Sequence, residues 1–179
     1  MFEVVEGLLS KSFCITLYNE LYNKAWTLNG KSIGVPFTNG GMTWQTFMPE
    51  ASITGEFNKI LHQQFLDFNV LEEDEYTIRQ WATGSMIGQC TTIHADDAAY
   101  KTSYGCIFYP HDMNEYEGGE NLFYDPQGKL IHKQTPKAGT GVFYRGDYGH
   151  ESIAPTFYFK NYLRIIVNTL YAVGKRNFI

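Results

Sequence analysis

From Tyr76 onward the chain is a succession of short segments rich in aromatic and β-branched residues, separated by turn residues. Such segments favour β-strands, because these side chains pack well on a pleated sheet. The segments expected to form strands are 76–81, 89–96, 103–109, 121–124, 129–132, 141–144 and 162–172. Between two of them, Asp125-Pro126-Gln127-Gly128 is typical of a type I turn and predicts a hairpin. This many strands in so short a stretch indicates a closed sandwich or jelly roll.

Two helices are predicted ahead of these strands. The first is expected to begin at a Ser10 or Ser12 cap, to continue to about Trp26, and to end before Asn29-Gly30. The second begins near Thr54 and carries apolar side chains on one face at helical spacing. Two further short strands are expected, at 2–6 and at 42–47.

The 179 residues suggest one domain with a core large enough to fold alone. We expect an α+β fold, mainly β, that covers residues 1–179. Its helical part, at about 8–70, would pack on one sheet of a jelly-roll core at about 76–172.

Composition and charge exclude few functions, but they make some partners and locations less expected than others. The net charge of −5 leaves no basic footprint for nucleic acid, so a nucleic-acid partner is not expected. No apolar run approaches the length of a membrane span, and the acidic N-terminus lacks the basic start of a signal peptide. Three cysteines, an odd number without a Cys-x-x-Cys pair, indicate reduced thiols in a cytoplasmic protein.

The chemistry is expected at His94-Ala95-Asp96. In an extended strand His94 and Asp96 project from the same face, so an imidazole and a carboxylate can bind one metal ion. A second imidazole would complete the 2-His-1-carboxylate triad of non-haem iron(II) sites, which leaves three coordination positions open. His150 follows a strand and a turn and is the first candidate for this ligand, with His132 as its rival. Asp97 is the alternative carboxylate, disfavoured by the two-residue period.

Arg164 opens the last strand, with Ile166, Asn168 and Leu170 on the same face. A cation that points into a barrel needs an anionic partner, and a guanidinium suits a carboxylate. His111, after Tyr109-Pro110, is expected in a loop at the surface or at a substrate entrance.

In the order and spacing of its motifs the chain resembles the iron(II)- and 2-oxoglutarate-dependent oxygenases, and within them the prolyl 4-hydroxylase-like branch. The resemblance covers roughly residues 76–172 and lies in these stretches: His94-Ala95-Asp96, Ile107-Phe108-Tyr109, 117–123 with its Glu-Gly-Gly-Glu turn, Gly141-Val142-Phe143-Tyr144, His150 and 164–168. It implies a double-stranded β-helix, with iron held by His94, Asp96 and His150 and chelated by 2-oxoglutarate. O2 would be the second cosubstrate, and ascorbate is a further candidate cofactor.

The resemblance also implies a cation for the distal carboxylate of 2-oxoglutarate. Many relatives place this Arg or Lys about ten residues after the distal His. Lys160 stands at that position, whereas Arg164 is followed by the matching apolar strand. Arg164 is therefore preferred, and Lys160 stays the alternative.

Three more positions are expected near the cosubstrate. Asn121 stands where relatives carry a small polar residue or Leu, and Trp81 stands roughly where many carry a cosubstrate-binding Tyr. A phenol in place of that Tyr would then come from Tyr109 or Tyr104.

The implied activity is hydroxylation of an organic substrate with release of succinate and CO2. A prolyl or other residue of a peptide or protein is the first substrate class, and a free amino acid or a nucleobase is the alternative. A metal-binding cupin-type barrel without oxygenase activity is a second class of function, disfavoured because the chain lacks a His-x-His motif. The sequence carries no signal for the oligomeric state.

Overall fold

The computed structural model of the chain describes residues 1–29, 43–48, 53–68, 76–96, 102–156 and 163–173. Within these residues the chain forms two α-helices and ten β-strands, besides a short 3-10 helix at Glu115–Glu117. The elements in chain order are β1 (Phe2–Val5), α1 (Lys11–Tyr22), β2 (Thr27–Asn29), β3 (Thr43–Phe47), α2 (Ile53–Asp67), β4 (Tyr76–Ser85), β5 (Thr102–Tyr109), β6 (Asn121–Tyr124), β7 (Leu130–Gln134), β8 (Thr140–Arg145), β9 (Gly149–Ser152) and β10 (Arg164–Val173).

The strands form two antiparallel sheets. The larger sheet has the order β1-β8-β5-β10-β4-β3-β2, and the smaller one has the order β7-β6-β9. In the larger sheet β10 pairs with β4 along its whole length, beginning with Arg164 opposite Ser85. On its other side β10 pairs with β5 from Val167, opposite Phe108, onward.

Alternate residues of the larger sheet belong to two apolar clusters, as the two-residue period of a strand requires. The cluster between the sheets contains Ile107, Tyr109, Val142, Tyr144 and Ile166 of the larger sheet and Phe123 of the smaller one. The second cluster joins helix residues Leu17, Leu21, Phe57, Leu61 and Phe65 with strand residues Cys106, Phe108, Phe143, Ile165 and Tyr171. Two facing antiparallel sheets with β-rich composition and two helices are a jelly-roll arrangement.

The first helix is shorter than predicted. Ser10 caps it as expected, because its hydroxyl accepts a hydrogen bond from the Phe13 N–H. The helix ends at Tyr22 instead of about Trp26. The Trp26 indole donates to the Leu21 carbonyl, which another turn of helix would have bonded through the N–H of residue 25. No described helix has the length and apolar content needed to cross a bilayer.

The predicted strand at 89–96 is wrong. This segment pairs with the chain from Gly146 to Pro155 through the N–H groups of Gly88, Thr91, His94 and Asp96. From Gly88 to His94 these donors recur every third residue, whereas a regular ladder needs a period of two, so only His94 forms a β-bridge. On their other side, residues 149–152 pair with β6 and form a strand, β9, where the sequence indicated a loop after the turn.

Candidate functional site

His94 and His150 are held together by their own backbones. The N–H of His94 donates to the His150 carbonyl at 3.1 Å, and the N–H of His150 donates back at 2.9 Å. Two residues paired in this way carry neighbouring side chains, and the imidazole centroids lie 4.2 Å apart. The bridge therefore brings together two histidines that are 56 residues apart in the sequence.

Asp96 completes the cluster. Its N–H donates to the Gly146 carbonyl at 2.8 Å, which fixes the residue beside the turn that leads to His150. One ligand atom from each of His94, Asp96 and His150 lies within 4.8 Å of the others. In the described part of the chain this is the one group of three such side chains that can hold a metal ion.

Each imidazole is in a state that leaves one ring nitrogen with a lone pair that could bind a metal ion. The Nδ1 of His94 lies 2.8 Å from the Thr92 carbonyl; because a carbonyl only accepts, Nδ1 carries the proton and Nε2 keeps its lone pair. His150 is buried, and burial lowers its pKa to about 4, although the nearby Asp96 carboxylate acts in the opposite direction. His150 is therefore neutral at pH 7, and its approach to Asp96 at 3.9 Å is not an ion pair.

Tyr144 supports the carboxylate. Its hydroxyl donates to Oδ2 of Asp96 at 3.0 Å, and its ring packs against His150 with centroids 4.9 Å apart. Gly105 lies opposite Tyr144 on β5, and a Cβ at that position would come within 2.4 to 2.6 Å of the Tyr144 ring and hydroxyl. The missing side chain at Gly105 thus lets the phenol lie across the sheet and reach Asp96.

Arg164 forms a second polar group in the same interior. Its side chain is buried, and its Nη2 donates to Oδ1 of Asn121 at 2.5 Å. Its Nε and Nη1 have no hydrogen-bond partner among the described residues. Burial lowers the pKa of Arg164 to about 10, while Tyr109 and Glu120 act against this shift. The guanidinium is thus a buried cation whose hydrogen bonds are only partly made.

Tyr109 and Asn121 complete this group. The Tyr109 hydroxyl donates to the same Asn121 oxygen at 3.0 Å, and the Asn121 amide donates to the Ser152 hydroxyl at 2.8 Å. Burial raises the pKa of Tyr109 far above its ordinary value, so the phenol stays protonated. Tyr104 packs with the cluster on the helix side, so of the two candidate phenols only Tyr109 lies beside Arg164.

The close approach of Arg164 requires a glycine. Gly119 has a φ of +80°, and a Cβ there would lie 3.1 Å from Cδ of Arg164 and 3.0 Å from Cε of Met113. The Glu-Gly-Gly-Glu turn predicted from the sequence therefore has a physical role, since a larger residue would crowd the arginine stem.

The remaining predicted residues lie elsewhere. Trp81 is opposite Asn168 on β4, four residues from Ser85, the partner of Arg164, which is about 13 Å along the strand. Its role in cosubstrate binding stays a prediction. His132 contacts Gln134 on β7 at 3.0 Å and is not in the ligand cluster. Lys160 and Asp97 lie outside the described residues.

His111 lies in a bend after β5 and is partly exposed, in agreement with the prediction of a loop, but it also makes a structural contact that was not predicted. Its Nε2 accepts the N–H of Ile165 at 3.0 Å, and its ring packs edge-on against Tyr18 with centroids 5.0 Å apart. No pattern in the sequence indicates this contact or the one between Tyr144 and Asp96, because both join residues from distant segments. Tyr144 does belong to one of the matching motifs, Gly141-Val142-Phe143-Tyr144, but the motif does not indicate its bond to Asp96.

Comparison with known proteins finds similarity at the level of the fold. No protein-family model and no curated protein sequence matches the chain. Among solved structures, a prolyl 4-hydroxylase of Pseudomonas putida is similar with a TM-score of 0.75 and 15% identity, over 97% of this chain and 92% of that one. A collagen prolyl hydroxylase of Paramecium bursaria Chlorella virus-1, in complex with 2-oxoglutarate, has a TM-score of 0.68 and 21% identity, over 96% of each chain.

A third similar structure is a prolyl hydroxylase of Trichoplax adhaerens in complex with a peptide fragment of the hypoxia inducible factor oxygen degradation domain. Its TM-score is 0.76 at 11% identity, over 96% of this chain and 83% of that one. At these identities the likeness establishes the fold. The chain thus has the jelly-roll fold of prolyl 4-hydroxylases and other 2-oxoglutarate–iron(II) oxygenases, and a His-Asp-His cluster lies inside it.

Proposed function

We propose that the protein is an iron(II)- and 2-oxoglutarate-dependent dioxygenase that hydroxylates an organic substrate and releases succinate and CO2. The observation that carries the proposal is the convergence of His94, Asp96 and His150, whose ligand atoms lie within 4.8 Å of one another. Two imidazoles and one carboxylate are the donor set that suits non-haem iron(II) with open positions.

The residues at the other end of the interior fit 2-oxoglutarate. The distal carboxylate of this cosubstrate would supply acceptors for the Nε and Nη1 groups of Arg164 that lack partners among the described residues. Asn121 pairs with Ser152 and Phe123 pairs with His150, so the two ends of the site are about 7 Å apart along the strands. The terminal carbons of 2-oxoglutarate are joined by four bonds of about 1.5 Å, which gives an extended length of about 5 Å before its oxygens are added.

In this proposal His94, Asp96 and His150 hold the iron and Arg164 holds the cosubstrate. Tyr109 and Asn121 orient the guanidinium, and Tyr144 orients the Asp96 carboxylate. The iron and 2-oxoglutarate, when bound, supply the oxidative chemistry with O2. The apolar cluster between the sheets, which includes Phe123 and Ile166, excludes water from the interior.

The proposed substrate is a prolyl or other residue of a peptide or protein. The similar Trichoplax enzyme was solved with a peptide, and the fold is shared over most of the chain, which supports this class. A free amino acid or nucleobase with the same chemistry is the alternative.

We also propose that residues 1–179 are one domain whose two helices support the larger sheet, since both contribute to one apolar cluster with it. The buried thiols of Cys14 and Cys106 support a reducing, cytoplasmic location.

The test is succinate release from 2-oxoglutarate, with iron(II) and O2, in the presence and absence of a panel of proline-containing peptides. The proposal predicts turnover that a subset of peptides stimulates and that His94→Ala, Asp96→Ala and His150→Ala each abolish. Turnover at the wild-type level in any of these variants would remove that residue from the ligand set. Absence of succinate under all conditions in a protein that binds iron(II) would contradict the oxygenase assignment.

A further inference from the structure

Both peptide groups that flank Arg164 are held by side chains from outside its sheet. The Tyr18 hydroxyl, on α1, donates to the Leu163 carbonyl at 2.9 Å. The Ile165 N–H donates to Nε2 of His111 at 3.0 Å. The Leu163 carbonyl and the Ile165 N–H belong to the two peptide planes on either side of the Arg164 Cα. Since the peptide bond is planar, fixing these two planes fixes φ and ψ of Arg164.

These two hydrogen bonds lie at the start of β10, where β5 no longer pairs with it. The ladder between β5 and β10 reaches Phe108, opposite Val167, and β5 ends at Tyr109 just before Pro110. Ile165 lies beyond this last pair, on the side that β5 has left. Because a buried N–H without a partner is costly, an acceptor is needed there, and the His111 ring takes the place of a strand carbonyl.

The His111 ring is fixed in the form that can accept this bond. Its Nδ1 lies 3.2 Å from the Asp112 carbonyl, so Nδ1 carries the proton and Nε2 has the lone pair. Burial lowers the pKa of His111 to about 4, which keeps the ring neutral at pH 7. Tyr18 packs edge-on against the same ring, with centroids 5.0 Å apart, so the two contacts support one another.

We propose that Tyr18 and His111 are positioning residues for Arg164, which aim its guanidinium into the interior where the distal carboxylate of the cosubstrate binds. This inference rests on the proposed function, because it assigns Arg164 to 2-oxoglutarate. Tyr18 and His111 bond the backbone on either side of Arg164. They act through the backbone, since the direction in which the Arg164 side chain leaves the strand depends on the two peptide planes.

The test compares two ligands on the full chain loaded with Mn(II), by calorimetric titration. One is 2-oxoglutarate; the other is 2-oxopentanoate, which has the same 2-oxo acid group but a methyl in place of the distal carboxylate. Tyr18→Phe and His111→Leu are expected to weaken 2-oxoglutarate binding about tenfold, the equivalent of one hydrogen bond. Their affinities for Mn(II) and for 2-oxopentanoate should equal those of the wild type.

Two further variants separate positioning from general damage. His111→Gln keeps an acceptor oxygen at the end of its side chain and should restore 2-oxoglutarate affinity to near the wild-type value. Ile15→Ala truncates an exposed side chain on α1 and should change nothing.

Unchanged 2-oxoglutarate affinity in both Tyr18→Phe and His111→Leu would overturn the inference, and so would equal weakening of both ligands, which indicates a general structural role. Wild-type protein that binds Mn(II) but not 2-oxoglutarate would refute the proposed function and this inference with it.

Discussion

Replacing Arg164 by Met should stabilise the ligand-free protein while it removes cosubstrate binding. Arg164 is buried, and burial lowers its pKa from the ordinary value of a guanidinium to about 10. Because one pKa unit is about 1.4 kcal/mol, holding this cation in the interior costs about 3 kcal/mol. Met fills a similar volume without a charge, and the Asn121 oxygen that loses the guanidinium keeps the Tyr109 hydroxyl. We therefore expect the free energy of unfolding of the ligand-free variant to equal or exceed that of the wild type.

The same substitution should weaken the binding of 2-oxoglutarate, although it does not destabilise the ligand-free protein. A carboxylate that enters the site without its guanidinium partner is left as an unpaired buried charge, which costs about 2–5 kcal/mol. The affinity for 2-oxoglutarate should fall by roughly a hundredfold or more. Because the Mn(II) ligands are unchanged in this variant, metal affinity should stay at the wild-type value.

The assay is thermal unfolding of Mn(II)-loaded protein with and without 2-oxoglutarate. At about 100 times its dissociation constant the ligand stabilises the wild type by about 2.7 kcal/mol, and Arg164→Met should lose nearly all of this. Lys129→Met removes an exposed cation from the hairpin turn and serves as the matched control, with the full wild-type response. The reasoning is refuted if the ligand-free variant is several kcal/mol less stable, or if it keeps the wild-type response to 2-oxoglutarate.

Three further predictions concern the neighbours of the site. Tyr144→Phe removes the hydrogen bond to Asp96 and should weaken Mn(II) binding about tenfold, measured by calorimetry; an unchanged affinity would show that the bond does not orient the ligand. Gly105→Ala displaces the Tyr144 ring and should weaken Mn(II) binding at least as much, whereas a milder effect would contradict the steric argument. His111 has a lowered pKa, so the unfolded chain binds its proton first and stability should fall as the pH drops from about 6.5 to 4. That loss is up to about 3 kcal/mol and should be smaller in His111→Gln; equal acid sensitivity of the two proteins would exclude the effect.

Much of the fold follows from local patterns in the sequence. The strands at 103–109, 121–124 and 141–144 lie within β5, β6 and β8, since short alternating segments with turn residues between them specify strands locally. The stretch at 89–96 was mispredicted because its composition is strand-like, while its pairing with β9 recurs every third residue. Such a spacing depends on the partner segment, which composition does not report. The end of α1 depends on the local hydrogen bond from the Trp26 indole to the Leu21 carbonyl, which the spacing of apolar residues does not report.

Local sequence patterns identify some residues of the candidate site and not others. His94 and Asp96 are neighbours in the sequence, and Arg164 stands at the start of a strand with a clear inner face, so motif and period were sufficient to single them out. The partners that orient them come from distant segments: Tyr144 for Asp96, and Tyr18 with His111 for the backbone of Arg164. No spacing rule links such residues, so only the folded structure shows them. The strand expected to place His94 and Asp96 on one face does not form. The bridge from His94 to His150 and the bond from the Asp96 N–H to the Gly146 carbonyl still bring the side chains together.

The most direct test of the central claim is an anaerobic titration of the protein with iron(II) and 2-oxoglutarate, monitored by visible absorption. The account predicts a charge-transfer band that needs both components, saturates at one iron per chain, and is absent in His150→Ala. Saturable iron(II) binding without any band on addition of 2-oxoglutarate, or a band of full intensity in His150→Ala, would contradict it.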